Sequence, residues 1–349
     1  MTNSTGTLAP ERLHADRIAP VLFSPPAPDG EADERFACFG GECAVLVRGS
    51  GPAGGAAGAA ARVRRRMLEW HDQFSRFQSG SELSRLNHDQ RSTVPVSPMM
   101  VRFVEAALSA AQTSGGLVDP TLLGEVERAG YDDDFAGVPL PLSNALAMAG
   151  HRHAAGPEPS ERWRQLSVDA AGGTVSRPPG LLLDSGGIAK GLFADVVSSV
   201  LCRHASFAVN LAGDLRFGGA RGLTRPVQVT DPFDDSILHV FELVRGAAAT
   251  SGISRRSWLD ANGEVAHHLL DPASGRPAFT GVVQATALAP TALEAEVLAK
   301  SAVLSGPEQA AACLRHGGLV VRDDGTHEVI EPPAPYVPRR VAALAGTRS

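Results

Sequence analysis

The chain has 349 residues, of which 43% are hydrophobic, and a formal net charge of -6 at pH 7. This apolar content suffices for a large core, which excludes a wholly disordered chain, and the scattered basic residues exclude an extended nucleic-acid-binding surface. No apolar run is long enough to span a bilayer, and the N-terminus lacks the apolar stretch of a secretory signal. We therefore expect a cytoplasmic protein without membrane insertion.

The four cysteines are Cys38, Cys43, Cys202 and Cys313, and they show neither CxxC spacing nor a neighbouring histidine cluster. A zinc site or a disulfide framework is therefore not expected. Buried free thiols are the simplest interpretation, because free cysteine behaves as a small hydrophobic residue.

The N-terminal segment, residues 1–34, mixes Pro, Gly and acidic residues without a sustained period. This composition predicts a tail or a loosely docked arm. Alternation of apolar and polar residues over 35–39 and 43–47 then predicts two strands, or one bulged strand broken at Gly40 and Gly41.

Helical patterns follow these strands. In chain order, the sequence predicts a turn over 49–61 leading into a helix that reaches Phe74, a helical turn over 81–87 with Ser81 as N-cap, a helix over 99–114, and a surface loop over 132–161 around one short helix at 143–149.

The rest of the chain is more regular. Residues 181–184 predict a short buried strand, which leads through Gly186 and Gly187 into a helix over 188–201. Further predicted strands are 206–211, 227–230, 238–243 and 247–250, the last three as neighbours, then 282–289 and 319–322, and further helices are 293–304 and 307–316. Because strands follow one another as well as alternating with helices, an α+β fold is favoured over a doubly wound parallel sheet.

Glycine-rich turns with a polar residue follow several of the predicted strands, at 184–191, 210–214 and 250–252. Backbone N–H groups in such turns can approach phosphate oxygens, and the first turn leads into a helix N-terminus, which favours negative charge. Lys190 is a candidate to contact a pyrophosphate. Each turn taken alone is equally a simple tight turn, and none matches GxGxxG or GxxxxGK[ST].

A histidine lies at another predicted strand end, in the sequence His267-His268 followed by an Asp-Pro-x-x-Gly turn at Asp271. Histidine suits proton abstraction from a hydroxyl near neutral pH, although a lone histidine is more often structural. Strand alternation predicts that His267 and His268 point to opposite faces.

Seven sequence blocks occur in one order along the chain. They are Phe74 to Phe77 with Ser81 to Asn87, Val118 to Thr121, Asp184 to Gly191, Asn210 to Asp214, Thr250 to Gly252, His268 to Gly275, and Ala289 to Ala292. Together the blocks resemble the ApbE family of FAD:protein FMN transferases, and the likeness covers about residues 36–318.

The resemblance implies an α+β fold related to the T-fold, with mixed or antiparallel sheets flanked by helices. We expect one large domain of two joined lobes over 35–332, with a C-terminal tail at 333–349. The implied reaction splits FAD at its pyrophosphate, releases AMP and esterifies FMN through its phosphate to a Ser or Thr of a partner protein. Such a transfer needs positioning, charge neutralisation and a base rather than a covalent protein nucleophile.

The resemblance also assigns residues. Phe39 and Phe77 fall at positions near the flavin ring, and His268 falls on the base that activates the acceptor hydroxyl. With the turn residues above, the implied FAD-binding positions are Asp119, Asp184, Lys190, Asn210, Gly213, Asp214, Thr250, Ser251, Gly252 and Asp271.

The metal site departs from the family pattern, in which an Asp and, four residues later, a Thr ligate a divalent cation, normally Mg²⁺. Here Glu296 and Lys300 occupy these positions, with the Ala189 carbonyl as a further implied ligand. A charged lysine has no acceptor and cannot ligate a metal. Lys300 therefore either replaces one metal charge beside the pyrophosphate or pairs with Glu296 in an i,i+4 salt bridge.

Alternative activities share the same site. With water as the acceptor, the protein would be an FAD pyrophosphatase that releases FMN and AMP. With catalysis lost through Lys300, it would be an FAD-binding protein.

Overall fold

The computed structural model describes residues 30–52, 54–131 and 140–333. Most of the two predicted tails and residues 132–139 of the predicted surface loop lie outside this part. Within it, helices and antiparallel sheets form one α+β fold, which confirms the predicted fold class. None of the helices in the described ranges has the length and apolar character needed to cross a membrane.

An eight-stranded antiparallel sheet forms the centre of the molecule, in the order β1-β2-β6-β7-β10-β15-β16-β17. Its strands are β1 (Glu31–Cys38), β2 (Gly41–Arg48), β6 (Ser206–Leu211), β7 (Asp214–Gly218), β10 (Gly246–Gly252), β15 (Val282–Ala289), β16 (Gly318–Arg322) and β17 (His327–Ile330). Every residue of β15 is buried, and its side chains are small or apolar except for Gln284, whose amide donates a 2.8 Å hydrogen bond to the Thr230 carbonyl.

Smaller sheets lie outside the central sheet. They consist of β3 (Thr93–Pro95), β4 (Ser167–Asp169) and β5 (Thr174–Ser176), of β8 (Arg225–Thr230) with β9 (Ile237–Leu243), of β11 (Ser257–Leu259) with β12 (Val265–His267), and of β13 (Leu270–Asp271) with β14 (Arg276–Pro277). The predicted neighbours 227–230 and 238–243 pair as β8 and β9. The third strand, β10, instead pairs with β7 and β15.

The helices are α1 (Ala56–Phe74), α2 (Glu82–His88), α3 (Pro98–Thr113), α4 (Leu123–Arg128), α5 (Leu142–Met148), α6 (Ala189–Leu201), α7 (Ala292–Ser305) and α8 (Pro307–Cys313). The predicted N-cap of α2 is confirmed, because the Ser81 side chain accepts a hydrogen bond from the Ser84 N–H. Ser97 and Thr291 cap α3 and α7 in the same way.

The contact between α6 and α7 positions the site described below. The Asp195 carboxylate of α6 accepts hydrogen bonds of 2.9 Å from the N–H groups of Ala292 and Leu293, the first residues of α7. A Cβ at Gly191 would lie 2.7 Å from the Ala292 carbonyl oxygen, so only glycine permits this approach. Residues one and two turns into α7 consequently face the N-terminus of α6.

Two further predictions about local structure are wrong. The predicted tail extends too far, because β1 begins at Glu31, whose carboxylate forms a buried ion pair with Arg225. Residues 181–184 form no strand. The Asn87 side chain exchanges hydrogen bonds with the Leu183 N–H and carbonyl, and the Pro120 carbonyl accepts from the N–H of residue 184, so this extended segment needs no neighbouring strand.

Candidate active site

A cavity of about 570 Å³ opens beside the N-terminal turn of α6. This volume is typical of a site for a small organic ligand. Its aromatic wall comprises Phe39, His71, Phe74, Phe77, Tyr131 and Phe193, and its charged group comprises Asp184, Lys190, Arg256, His268 and Lys300. An apolar, planar ligand portion and an anionic portion could therefore bind side by side.

The deep part of the aromatic wall is formed by rings in mutual contact. Phe39 lies in the turn between β1 and β2 with a positive φ of 54°, a conformation that is uncommon for a residue with a side chain. Its ring centroid lies 5.6 Å from that of Phe193 and 5.4 Å from that of His71. Phe74, the last residue of α1, packs edge-on against Phe193 at 5.2 Å. These contacts fix the ring of Phe39 against α6.

The outer part of the aromatic wall is organised by Arg76. Its guanidinium lies 4.3 Å from the ring centroid of Phe77 and 4.5 Å from that of Tyr131, and it donates a hydrogen bond to the Tyr131 carbonyl. Phe77 remains 38% exposed, which leaves part of its ring available to a ligand.

Lys190 anchors the charged group through buried carboxylates. Its ammonium forms an ion pair with Asp214 and lies 3.8 Å from the nearer oxygen of Glu296. Burial alone would lower the pKa of Lys190, but the two carboxylates outweigh burial and raise it. Lys190 is therefore a fixed positive charge. Asp214 and Glu296 support it from behind and do not line the cavity.

Glu296 is turned away from Lys300. One carboxylate oxygen accepts a 2.9 Å hydrogen bond from the Gly191 N–H, in the first turn of α6, and the other faces Lys190. Burial and the neighbouring Asp214 raise the pKa of Glu296 to about 7, against the opposing effect of the two lysines. Of the two alternatives for Lys300, the i,i+4 salt bridge with Glu296 is not formed.

Lys300 reaches from α7 to the backbone of the glycine turn. A Cβ at Gly187 would lie 1.8 Å from the Lys300 Nζ, so the ammonium occupies the space that any other residue there would fill. In the described ranges it makes neither a hydrogen bond nor a salt bridge. Burial accordingly lowers the pKa of Lys300, with Glu296 and Asp184 opposing.

His268 follows β12, lines the cavity and is half-buried. Burial lowers its pKa well below the ordinary value, and the positive charges of Arg256, Lys300 and Lys190 lower it further. The imidazole is therefore neutral at pH 7 and able to accept a proton. His267 points elsewhere: it is fully buried, and its ring packs edge-on against Phe279 at 4.6 Å.

Asp119 lies on the far side of the charged group. It lines a small cavity of about 50 Å³ together with Asp184, His268 and Lys300. One of its carboxylate oxygens accepts hydrogen bonds from the Thr121 N–H and hydroxyl at 2.7 and 2.6 Å. Burial raises the pKa of Asp119, and its other oxygen is buried without a partner in the described part of the chain.

Several predicted ligand residues do not line the main cavity. Asn210 shapes the turn before β7, where its side-chain oxygen accepts a 2.9 Å hydrogen bond from the Gly213 N–H. The glycine turn predicted at 250–252 is wrong, because Thr250, Ser251 and Gly252 continue β10 in the central sheet. There the Thr250 hydroxyl is 2.8 Å from that of Thr286. Their contribution to FAD binding stays a prediction.

Asp271 also lies outside the cavity, although the sequence placed it among the ligand residues. Its carboxylate accepts hydrogen bonds from the Gly156 N–H at 2.9 Å, the Ala273 N–H at 3.1 Å and the Ser274 hydroxyl at 2.6 Å. These bonds hold the turn after His268 and tie it to the segment before the Arg162–Gln165 3₁₀ turn. Asp271 thus positions the loop.

The predicted metal ligands do not form a donor set for a divalent cation. Mg²⁺ requires oxygen ligands in near-octahedral geometry. The Glu296 oxygens already face the Gly191 N–H and Lys190, and the Lys300 ammonium has no lone pair. Among the described residues, no group of three or more His, Cys, Asp or Glu side chains is arranged to hold a metal ion.

Sequence reasoning missed Arg256, Arg76 and Tyr131 as cavity residues. The two consecutive arginines at 255–256, soon after the 250–252 block, could have predicted an anion-binding side chain here. Only the fold shows which of the two arginines faces the cavity. Arg256 lines it, with its guanidinium beside Gly40 in the β1–β2 turn, and it forms no ion pair in the described part of the chain. Arg255 instead approaches Asp235 at 3.9 Å.

Comparison with known proteins identifies relatives of this chain. Residues 39–321 match the sequence profile of the ApbE family. The chain is 29% identical to an FAD:protein FMN transferase of Treponema pallidum over 78% of each chain, and 28% identical to one of Escherichia coli K12 over 73% of each chain.

Solved structures show the same fold. The ApbE protein of Thermotoga maritima superposes with a TM-score of 0.71 at 24% identity, over 86% of this chain and 97% of that one. Flavin transferase ApbE of Vibrio cholerae superposes with a TM-score of 0.68 at 24% identity, over 89% of this chain and 100% of that one.

Proposed function

This chain belongs to the ApbE family, and from that premise we propose that it is an FAD:protein FMN transferase. It cleaves FAD at the pyrophosphate, releases AMP, and esterifies FMN through its phosphate to a Ser or Thr hydroxyl of a protein acceptor. The observation that carries the proposal is the cavity itself, in which an aromatic wall adjoins fixed cations and a neutral histidine.

Binding of FAD follows from the two parts of the cavity. The isoalloxazine ring is planar and largely apolar, so it suits the exposed face of Phe77 and the ring of Phe39. The pyrophosphate carries negative charge, which suits Lys300 and Arg256, since neither forms an ion pair in the described ranges. The N-terminal turn of α6 adds partial positive charge at the same place.

The transfer itself is a displacement at phosphorus. The acceptor hydroxyl oxygen forms a bond to the phosphorus of the FMN half, and the bond from that phosphorus to the oxygen shared with AMP breaks. The electron pair of the broken bond leaves with AMP. The hydroxyl proton passes to the His268 imidazole, which is neutral and therefore able to accept it.

The decisive experiment supplies purified protein with FAD and an acceptor domain that carries a suitable Ser or Thr. Transfer predicts covalent flavin fluorescence on the acceptor in a denaturing gel, with AMP released in equal amount. Release of FMN and AMP without an acceptor would instead indicate an FAD pyrophosphatase. FAD retention without either product would indicate a binding protein.

The place of the reaction is a further part of the proposal. The cysteines at 38, 43, 202 and 313 are all free, and thiols persist in a reducing compartment such as the cytoplasm. Fractionation of the native host tests this, and recovery of the protein outside the cytoplasmic fraction would contradict it.

A further inference from the structure

The charged group contains the only lysines of the whole chain. All other basic positions among the 32 Lys and Arg residues are arginines, so Lys190 and Lys300 stand out by residue type. Lysine presents a compact point charge, whereas the guanidinium of arginine is planar and larger. The space above Gly187, where the Lys300 ammonium lies, admits the smaller group.

The two lysines differ in their partners. The positive charge of Lys190 is balanced by the buried carboxylates of Asp214 and Glu296. Lys300 has no such partner in the described part of the chain and lies at the cavity surface. A half-buried cation that forms no ion pair is costly, and the binding of an anion reduces this cost.

We propose that the Lys300 ammonium contacts the pyrophosphate of FAD in place of a divalent cation, so that this chain transfers FMN without a metal. The inference rests on the proposed function for its substrate. The absence of a metal is inferred from the residues at the usual ligand positions. Position 300 carries a cation instead of a metal ligand, and the Glu296 carboxylate already accepts from the Gly191 N–H and faces Lys190.

Charge complementarity supports this assignment. A lysine ammonium supplies three N–H donors to phosphate oxygens and stays in place throughout the reaction. Arg256 provides a second cation in the same cavity. Negative charge that develops on the leaving AMP phosphate is then met by fixed side chains, with no exchangeable ion.

The first test measures transfer by the full-length protein in excess EDTA and in excess Mg²⁺. The inference predicts rates that agree within about twofold, because Lys300 and Arg256, and not an added ion, neutralise the charge of the pyrophosphate. Loss of transfer in EDTA with recovery in Mg²⁺ would overturn it. If transfer occurs in neither condition, the proposed function fails, and the inference is then decided by binding.

The binding test uses ADP, which carries a pyrophosphate but no flavin, in EDTA. Lys300→Met keeps a long unbranched side chain, one heavy atom shorter, and removes its charge, and we expect the affinity for ADP to fall about 10- to 100-fold. Ser301→Ala, at the next residue of α7, is the matched control, since the Ser301 hydroxyl has no partner in the described ranges. Unchanged ADP affinity in Lys300→Met overturns the inference.

A direct readout is available because the chain has only these two lysines. In protein labelled with ¹³C-lysine, two side-chain signals are expected, and Lys300→Met assigns them. Addition of ADP without metal should shift the Lys300 signal more than the Lys190 signal. A Lys300 signal that moves only after Mg²⁺ is added would contradict the inference.

Discussion

The aromatic wall and the charged group line one cavity but are held in different ways. The rings of the aromatic wall support one another through several contacts of 5.2 to 5.6 Å, so no single contact carries the arrangement. The charged group depends on individual pairings, and Lys190 has carboxylate partners where Lys300 has none. Hydrophobic packing is non-directional, whereas a buried charge needs a specific partner. Substitutions should therefore have larger effects in the charged group.

The largest effect is expected at His268. His268→Gln removes the proton acceptor while keeping a polar side chain, and transfer should slow by about 100-fold or more, with FAD affinity largely kept. Single-turnover transfer and FAD titration measure the two quantities. His327→Ala, at an exposed position on β17, is the control. An equal loss of binding and rate would assign His268 to cavity shape.

The two lysines should differ in stability. Lys190→Met leaves the buried Asp214 and Glu296 without their cation and should lower the free energy of unfolding by about 3 kcal/mol. Lys300→Met removes a charge that has no partner in the described ranges, so unfolding should be unchanged or more costly. Urea denaturation without ligand measures both. A similar loss in both variants would remove the contrast between the lysines.

His267, the neighbour of His268 in the chain, makes the free energy of unfolding depend on pH. Burial lowers the pKa of His267 to about 3, so the folded state binds fewer protons than the unfolded state between about pH 3 and 6.5. Its contribution to stability is present above pH 6.5 and is lost as the pH falls. Between pH 8 and pH 5 this loss amounts to about 2 kcal/mol.

His267→Leu should remove this part of the acid sensitivity. The difference between the free energies of unfolding at pH 8 and pH 5 should then be smaller by about 2 kcal/mol than in the wild type. An unchanged difference would show that the pKa of His267 in the folded protein is not lowered below its value in the unfolded chain.

The smallest effect is expected in the aromatic wall. Phe77→Ala should weaken FAD binding by about tenfold, because one exposed ring face is lost while the other rings remain. Phe77→Tyr should change it by less than about twofold. Leu259→Ala, an exposed apolar residue outside the cavity, is the matched control. A loss at Phe77 as large as that at His268 would remove the distinction between the two regions.

Regular periodicity made most helices and the longer strands predictable. The helix over 188–201 and the strand over 206–211 agree with α6 and β6 within one residue. Prediction failed where a distant side chain replaces local structure. The Asn87 side chain hydrogen-bonds to the backbone of Leu183, and the ion pair with Arg225 attaches Glu31 to the folded domain. Neither interaction can be predicted from the sequence of the segment itself.

Candidate site residues were predictable in type but only partly in place. The glycine turn at 184–191 and His268 meet in the cavity, since turns at element ends carry their conformation in the local sequence. Asp271 and Asn210 satisfy nearby backbone groups instead, as Asp and Asn often do in turns. A sequence motif predicts that a polar side chain lies at a turn. Whether that side chain faces the cavity depends on the backbone groups that surround it.

The sequence by itself determined the family resemblance, the α+β fold class and the presence of lysine where a metal ligand is usual. Only the tertiary structure determined that Lys190 pairs with the Asp214 and Glu296 carboxylates and that Lys300 faces the cavity without an ion pair in the described ranges. The reason is physical. Ion pairs and hydrogen bonds depend on the distance and direction between atoms far apart in the chain, and the close packing of α6 against α7 sets both.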